Sequence, residues 1–214
     1  VEHNGKISKS DLLNVIRTLY PFLKAELFLK WKDSEIKAQV TEYVDALAQA
    51  NLIFVDDEDF IFSPAPNSED HNQLAVLAAP VRQSLERYYM TLALITQRGS
   101  GNISIRQVEE LSHLVGQRLS VLYEFNSPEF FDKALFQSFM KVLTEQGYIK
   151  TNEDHAIVFD EQFRNVAQYA NLVLDDVTLQ MLHHITSFTD EELKEALDAL
   201  AAQQAKKRLK RKKK

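Results

Sequence analysis

Along the first part of the chain, apolar residues recur at the spacing of one helix face. One such stripe comprises Leu12, Leu13, Val15, Ile16 and Leu19. This period predicts a first helix, which either Ser8 or Ser10 caps. Pro21 is expected to break or kink it, because proline lacks the backbone N–H and its ring crowds the preceding turn.

The next apolar runs predict two more helices and then a change of period. The helices are expected over residues 22–31 and 34–51, with Ser34 as the cap of the second. Short β-branched and aromatic stretches at 52–55 and 60–62 flank an acidic turn, which predicts a β-hairpin. The Pro- and Ser-containing residues 63–68 are the best candidate for a linker.

The same order of signals recurs about 96 residues later. Residues 143–149 and 157–159 repeat the pattern of a helix end, a polar turn and a strand, and Gly147 takes the place of Asn51. Both residue types tolerate the left-handed conformation that ends a helix. Each half is therefore predicted to close a helix and enter a hairpin directly, as in a winged helix.

These signals predict a mainly α fold with two small β-hairpins. Two winged-helix-like units are expected, joined by a long helix over 74–97 that kinks or restarts near Pro80. A capping pattern at Thr189 predicts a further C-terminal helix to about Leu209. We expect three parts: one unit over residues 1–66, a second over 72–170, and C-terminal helices with a basic tail over 171–214.

Composition excludes several classes of protein. With 5 Gly, 5 Pro and no Cys, the chain is not typical of a β-sandwich and has no disulfide, thiolate zinc site or cysteine nucleophile. Its longest apolar stretches fall short of the ~20 residues that span a bilayer. The first residue is Val1 and no signal-like stretch follows, so the sequence is expected to be a piece of a longer protein.

The net charge of −6 conceals an asymmetry between the body and the tail. Eight of the 25 basic residues lie in the last nine positions, which leaves 17 basic against 31 acidic residues, or −14, before them. They are Lys206, Lys207, Arg208, Lys210, Arg211, Lys212, Lys213 and Lys214. An acidic body argues against a nucleic-acid groove, which needs clustered cations on the folded surface.

One string invites a catalytic interpretation. His155 and Asp160 match H-x-x-x-x-D, a spacing in which the histidine deprotonates a hydroxyl and the aspartate orients the imidazole. With six His and fourteen Asp in the chain, about 0.4 such matches arise by chance. On a regular strand this odd spacing points the two side chains to opposite faces. We therefore interpret the match as accidental and assign no catalytic residue.

Two other groups of residues have structural alternatives. His183 and His184 point about 100° apart on a helix and lack an obvious third ligand, so core or surface positions are favoured over a metal site. Five phenylalanines form the second group, at Phe125, Phe130, Phe131, Phe136 and Phe139. They could line an acyl-chain pocket, but their helical spacing favours a plain core.

The basic tail, residues 206–214, permits three interpretations. Its cations could bind anionic lipid headgroups at about 1 kcal/mol each near the surface, and salt would weaken that attraction. The tail could equally be a solvated terminus, or it could contact nucleic acid.

Longer strings carry a resemblance to a known family. Residues 19–31 (LYPFLKAELFLKW) and 117–136 (QRLSVLYEFNSPEFFDKALF) closely resemble the C-terminal part of the large bacterial membrane-associated glycerol-3-phosphate acyltransferase. Arg87-Tyr88-Tyr89 and the string 145–149 (EQGYI) are similar to the same region. The resemblance covers roughly residues 6–149, and the basic tail is not carried over from it.

The resemblance implies a parent enzyme that acylates the sn-1 hydroxyl of glycerol 3-phosphate. The implied donors are acyl-CoA or acyl carrier protein, and the reaction is the first step of phospholipid synthesis, at the cytoplasmic face of the bacterial inner membrane. In that family the catalytic block lies N-terminal to this segment. The chain is therefore expected to be non-catalytic, without a cofactor, with the N-terminal acyltransferase domain and an anionic membrane surface as partners.

A binding module is the competing hypothesis. A winged-helix pair could bind nucleic acid or a protein partner. The helix predicted over 36–50 carries Lys37 against Glu42 and Asp45, which does not suit a recognition helix for DNA.

Overall fold

The computed structural model describes residues 5–122 and 132–189, together with 191, 192, 194, 195 and 198. In chain order the elements are β1 (Lys6–Ser8), α1 (Lys9–Leu27), α2 (Asp33–Gln49), β2 (Phe54–Val55), β3 (Phe60–Phe62), α3 (Glu69–Arg98), α4 (Ile105–Leu122), α5 (Lys133–Glu145), β4 (Ile149–Thr151), β5 (Ile157–Phe159), α6 (Glu161–Asn171) and α7 (Asp176–Thr186). The expected fold class, mainly helical with two small antiparallel hairpins, is confirmed.

The chain forms two compact units. The first contains the described residues through Tyr89 together with Glu161–Leu179, and the second contains Met90–Asp160 together with the described residues from Gln180 onward. Helix α3 contributes residues to both. The predicted division at 1–66, 72–170 and 171–214 stays a prediction.

In the first unit, a three-stranded antiparallel sheet has the order β1-β3-β2. Ile61 at its centre faces Ile7 on one side and Val55 on the other. Helix α1 packs against α2 and α6. The buried apolar residues of this unit include Val15, Leu19, Phe22, Ile36, Val44, Leu52, Ile61, Tyr88, Phe163, Val166 and Leu174.

In the second unit, β4 and β5 pair antiparallel, with Lys150 facing Val158. A single bridge joins Ser104 to Ala156, and the Ile157 amide donates to the Ile103 carbonyl at 2.7 Å. The buried apolar residues of this unit include Met90, Leu92, Leu94, Ile95, Ile103, Val108, Leu111, Val115, Phe136, Phe139, Met140, Leu143, Ile149, Ile157, Leu182 and Ile185.

The predicted recurrence of helix end and hairpin is confirmed. Asn51 has φ 58° and Gly147 has φ 77°, so both lie in the left-handed region. After α2, the Leu52 amide donates to the Leu47 carbonyl at 3.0 Å, and after α5 the Tyr148 amide donates to Leu143 at 2.9 Å. Both ends are therefore Schellman motifs, which satisfy the last helix carbonyls as the chain turns into a strand.

The hairpin turns repeat at the same interval of 96 residues. The Phe60 amide donates to the Asp56 side chain at 2.8 Å, and the Ala156 amide donates to the Asn152 side chain at 2.8 Å. An amide or carboxylate oxygen that accepts from the backbone in this way stabilises a tight turn. The two units thus share their local turn chemistry, while the winged-helix assignment itself stays a prediction.

The expected effect of Pro21 was wrong in part, because α1 runs through this residue without ending. Leu19, Tyr20 and Phe22 are all buried around the proline. Burial of such side chains contributes about 1.5–3 kcal/mol each, which offsets the penalty of about 3 kcal/mol for an interior proline. The separate helix expected over 22–31 is instead the end of α1, and Phe28, with φ 54° and 90% exposure, terminates it.

Two further boundaries differ from expectation. Lys32, not Ser34, is the N-cap of α2, and its amide donates to the Glu35 carboxylate at 2.7 Å. Helix α3 begins at Glu69, five residues earlier than predicted, and passes through Pro80. It starts there because the Ser68 hydroxyl accepts from the His71 amide at 3.1 Å.

The capping pattern at Thr189 is confirmed, since its hydroxyl accepts from the Glu192 amide at 3.2 Å and its own amide donates to the Glu192 carboxylate at 2.9 Å. Most of the predicted C-terminal helix and the whole basic tail lie outside the described residues. None of the helices in the described ranges combines the length and apolarity needed to cross a bilayer.

Candidate functional site

The H-x-x-x-x-D match lies at the two ends of a hairpin strand. His155 occupies the turn between β4 and β5 with φ 59°, and its amide donates to the Asn152 carbonyl at 3.0 Å. Asp160 directly follows β5, and both side chains are exposed. This placement gives His155 a role in the turn, equivalent to that of Asp59 in the first hairpin, and our interpretation of the match as accidental stays a prediction.

The histidine pair lies on the surface of α7. Both His183 and His184 are exposed, whereas the flanking Leu182 and Ile185 are buried. Among the described residues, no group of three His, Cys, Asp or Glu side chains is placed to hold a metal ion. Of the two positions expected for these histidines, core or surface, the structure shows the surface one.

The phenylalanine set is only partly within the described residues. Phe136 and Phe139 are buried in α5, as the core interpretation predicts. Phe125, Phe130 and Phe131 lie outside the described residues.

A buried ion pair stands at the centre of the first unit. Arg87 of α3 and Glu26 of α1 form a salt bridge with side chains only 4% and 10% exposed. The Glu26 carboxylate also accepts from the Ser84 hydroxyl at 2.5 Å and from the Tyr88 hydroxyl at 2.7 Å. We call these four residues the Glu26 network.

The network decides the charge state of Glu26. Burial raises the pKa of its carboxyl, but hydrogen bonds from Ser84, Tyr88 and Arg87, with the Arg87 charge, outweigh burial, and the pKa lies below its ordinary value. Burial and the hydrogen bond to Glu26 raise the pKa of Tyr88. Glu26 is thus held as a carboxylate and Tyr88 as a neutral hydroxyl donor.

One turn away, α3 makes a second polar cluster with the residues before and at the start of α7. Arg82 donates to Glu86 at 3.1 Å and to the Thr178 hydroxyl at 3.0 Å, and it pairs with Asp175. Asp175 accepts from the Thr178 amide at 2.7 Å, which caps α7. These contacts tie α3 to the segment between α6 and α7 within the first unit.

The pKa values of the two carboxyls beside Arg82, those of Glu86 and Asp175, are shifted in opposite directions. Burial raises the pKa of Glu86, and the neighbouring Arg82 only partly opposes it. Burial also acts on Asp175, but the hydrogen bonds from Thr178 and the Arg82 charge prevail, and its pKa is lowered. The fold therefore favours a charged Asp175 and disfavours a charged Glu86.

In chemical terms both clusters are structural. Each carboxylate is matched by a cation or by several donors, and the hydroxyls that donate to Glu26 and Asp175 include those of the buried residues Ser84 and Thr178. Sequence reasoning missed Glu26, Arg82 and Glu86. The available signal was a set of charged residues on α3 within an otherwise apolar run.

A cavity of about 440 Å³ lies within the first unit. Thirteen of its fifteen lining residues are aliphatic, and the other two are Ser63 and His71. Its lining includes the exposed residues Ala75, Ala78 and Leu172, so the cavity is open to solvent.

Most of the chain matches a known protein family. The family model described as the glycerol-3-phosphate acyltransferase C-terminal region matches residues 1–152. The curated relatives include a glycerol-3-phosphate acyltransferase of Pseudomonas paraeruginosa (strain DSM 24068 / PA7), 36% identical over 169 residues, which are 79% of this chain and 20% of the relative. No solved structure gives a significant match.

Other relatives give the same result. A glycerol-3-phosphate acyltransferase of Ectopseudomonas mendocina (strain ymp) is 36% identical over 152 residues, 71% of this chain and 18% of its own. One of Pseudomonas fluorescens (strain SBW25) is 31% identical over 169 residues, 79% of this chain and 20% of its own. The chain therefore spans about a fifth of the length of the curated relatives it matches.

We predict opposite outcomes for two glutamate substitutions. Glu26→Gln should lower the free energy of unfolding at pH 7 by about 3 kcal/mol, because it leaves the buried Arg87 without a counter-charge. Glu86→Gln is the matched control and should leave stability at pH 7 unchanged or higher, because the fold disfavours the charged form. Urea unfolding followed through Trp31, the single tryptophan and a residue of the first unit, measures both.

The direction of the Glu26 pKa shift also predicts how the stability of the chain changes with pH. Because the folded pKa of Glu26 is lowered, its stabilisation is present above the unfolded value of about 4.3 and is lost as pH falls through the folded pKa. The wild-type chain should therefore lose stability below that window, and Glu26→Gln should remove part of the loss. If the wild-type chain and Glu26→Gln had equal stability at pH 7, this account of the network would be contradicted.

Proposed function

The chain belongs to the family of glycerol-3-phosphate acyltransferase C-terminal regions, and we propose that it is a non-catalytic region that supports the catalytic part of the same protein. The observation that carries the proposal is the match itself: the chain aligns with only a fifth of each relative's length. The remaining length of those relatives leaves room for a catalytic domain N-terminal to this region.

The candidate residues support a non-catalytic role. His155 serves a hairpin turn, and the charged side chains of the Glu26 network are paired with one another. The acyl transfer then belongs to the rest of the protein: an acyl group passes from acyl-CoA or acyl carrier protein to the sn-1 hydroxyl of glycerol 3-phosphate, the first step of phospholipid synthesis.

An exposed groove in the first unit, lined by three apolar and three polar residues, suits contact with that catalytic part. Leu52, Val76 and Leu77 line it, and the exposed fractions of Val76 and Leu77 are 71% and 61%. Such residues mark interaction surfaces when they are contiguous. Glu69 lies at the same groove, so a protein surface with basic residues around an apolar centre fits it better than anionic lipid does.

We assign membrane association to the basic tail and place the region at the cytoplasmic face of the bacterial inner membrane. The rest of the chain carries a formal charge of −14 and is repelled by anionic headgroups. The eight cations of residues 206–214 supply attraction of about 1 kcal/mol each near such a surface. The tail is therefore the part of the chain suited to an anionic bilayer.

The family match does not favour the alternative, a winged-helix module for nucleic acid. The acidic body and the charge balance of α2, with Lys37 against Asp33, Glu35, Glu42 and Asp45, do not suit a polyanion. A protein partner remains compatible with the proposal, since the catalytic part is one.

The first test measures acyl transfer from palmitoyl-CoA to glycerol 3-phosphate. The isolated chain should give no turnover. The Pseudomonas paraeruginosa relative should lose at least about tenfold activity, or roughly 1.4 kcal/mol in the barrier, without its matching region, and this chain in its place should restore activity. Turnover by the isolated chain that His155→Ala abolishes would contradict the proposal, as would full activity of the truncated relative.

A matched pair of variants within that chimaera tests the groove. Leu77→Glu places a charge in the proposed contact and should lower the activity severalfold. Val177→Glu alters an apolar residue outside the groove that is at least as exposed, 77% against 61% for Leu77. This variant should leave activity unchanged. An equal effect of the two would remove the groove from the account.

The second test addresses the tail. In flotation with vesicles containing phosphatidylglycerol, the full chain should bind, and a form without residues 206–214 should remain unbound. Binding should weaken between 0.05 and 0.5 M salt, because screening shortens the range of the attraction. Equal flotation of both forms would eliminate the tail as the lipid contact.

A further inference from the structure

The cavity in the first unit has the wall of an alkyl-binding site. Helices α1, α2 and α3, the three-stranded sheet and the residues after α6 all line it, for example Val15 of α1, Val44 of α2, Leu74 of α3, Ile61 of the sheet and Leu172. Its volume of about 440 Å³ falls in the range of about 300–1,000 Å³ that is usual for small-molecule sites.

The chemistry of the wall narrows the class of ligand. Among the described residues that line the cavity, none is Phe, Tyr or Trp, and none carries a carboxylate, ammonium or guanidinium group. Planar aromatic ligands are usually held by stacking on aromatic side chains, and ionic ligands by charged ones. An aliphatic wall suits a flexible hydrocarbon chain instead.

Two polar side chains interrupt the aliphatic wall. Ser63 follows β3, and His71 lies in the first turn of α3. A hydroxyl and an imidazole provide hydrogen-bonding groups for one small polar end, such as a carboxyl or an ester. The wall thus matches a ligand with a long apolar tail and a single polar end.

The mouth of the cavity includes part of α3. Ala75 and Ala78 both line the cavity and are exposed to solvent, one turn apart on the helix. Because alanine is small, larger side chains at these two positions would narrow the opening. Ala79 is exposed on the same helix but does not line the cavity.

We propose that this cavity binds a single fatty acyl chain, as a fatty acid or an acyl ester. The function proposed above does not include this binding, so the inference goes beyond it. It is a binding site in which the hydrocarbon fills the aliphatic interior and the polar end lies near Ser63 and His71.

The test uses the delipidated 214-residue chain and the fluorescent fatty acid cis-parinaric acid. We expect saturable binding of one molecule per chain, displaced by octanoic, decanoic and dodecanoic acid in increasing order of affinity. Affinity should rise about fourfold with each added methylene, the factor expected for burying a CH₂ group. Absence of saturable binding, or affinity independent of chain length, would overturn the proposal.

Variants at the mouth locate the site. Ala78→Phe should weaken binding by at least about tenfold, because the ring takes volume from the ligand. Ala79→Phe is the matched control and should bind within about twofold of the wild-type chain, since its side chain lies outside the cavity. Ala75→Phe serves as a second filling variant if Ala78→Phe fails to fold, as checked by thermal unfolding.

The outcomes separate this proposal from the proposed function. Fatty-acid binding is measured on the chain alone, so it does not depend on any acyl transfer. If apolar side chains of another segment of this chain fill the cavity instead, the wild-type chain will not bind the fatty acid, and the proposal fails. Equal binding by the Ala78→Phe and Ala79→Phe variants would likewise show that the fatty acid binds elsewhere.

Discussion

The Arg87 guanidinium is almost completely buried in the first unit, and this constrains how α1 can lie on α3. A buried cation requires a counter-charge and further hydrogen bonds, and the Glu26 carboxylate supplies the former. The hydroxyls of Ser84 and Tyr88 donate to the same carboxylate. Together with Arg87, three side chains of α3 therefore contact one residue of α1. This convergence sets the position of the two helices along each other.

The cavity depends on that arrangement. Leu12 and Val15 of α1 line it together with Ala75, Ala78 and Leu85 of α3. A large apolar volume tends to collapse when its walls can move together. A polar network that is satisfied in only one geometry opposes such collapse, and it allows the same unit to combine a firm framework with an open interior.

The fold was largely predictable where the signal was local. The helix ends at Asn51 and Gly147 follow from residue types that tolerate the left-handed conformation, and both turns formed as expected. Pro21 was misjudged because its cost is offset by burial of the residues around it, which depends on α1 packing and not on the local sequence. The cap at Lys32 was missed for a similar reason, since the bond comes from Glu35.

The candidate site was much less predictable. Glu26 and Arg87 lie 61 residues apart, and the cavity wall combines residues as distant as Ile7 and Leu172, so no local pattern marks either. Searches for catalytic spacing found only His155 and Asp160, which the fold uses at a hairpin. The family resemblance did include the strings that hold Glu26 and Arg87, although it gave no reason for their presence.

A double-mutant cycle on Glu26 and Arg87 tests the central claim most directly. The free energy of unfolding would be measured at pH 7, through Trp31 fluorescence, for the wild-type chain, Glu26→Gln, Arg87→Gln and the double variant. A buried pair that fixes α1 on α3 predicts a coupling energy of at least about 2 kcal/mol. Additive effects, within about 0.5 kcal/mol, would contradict it.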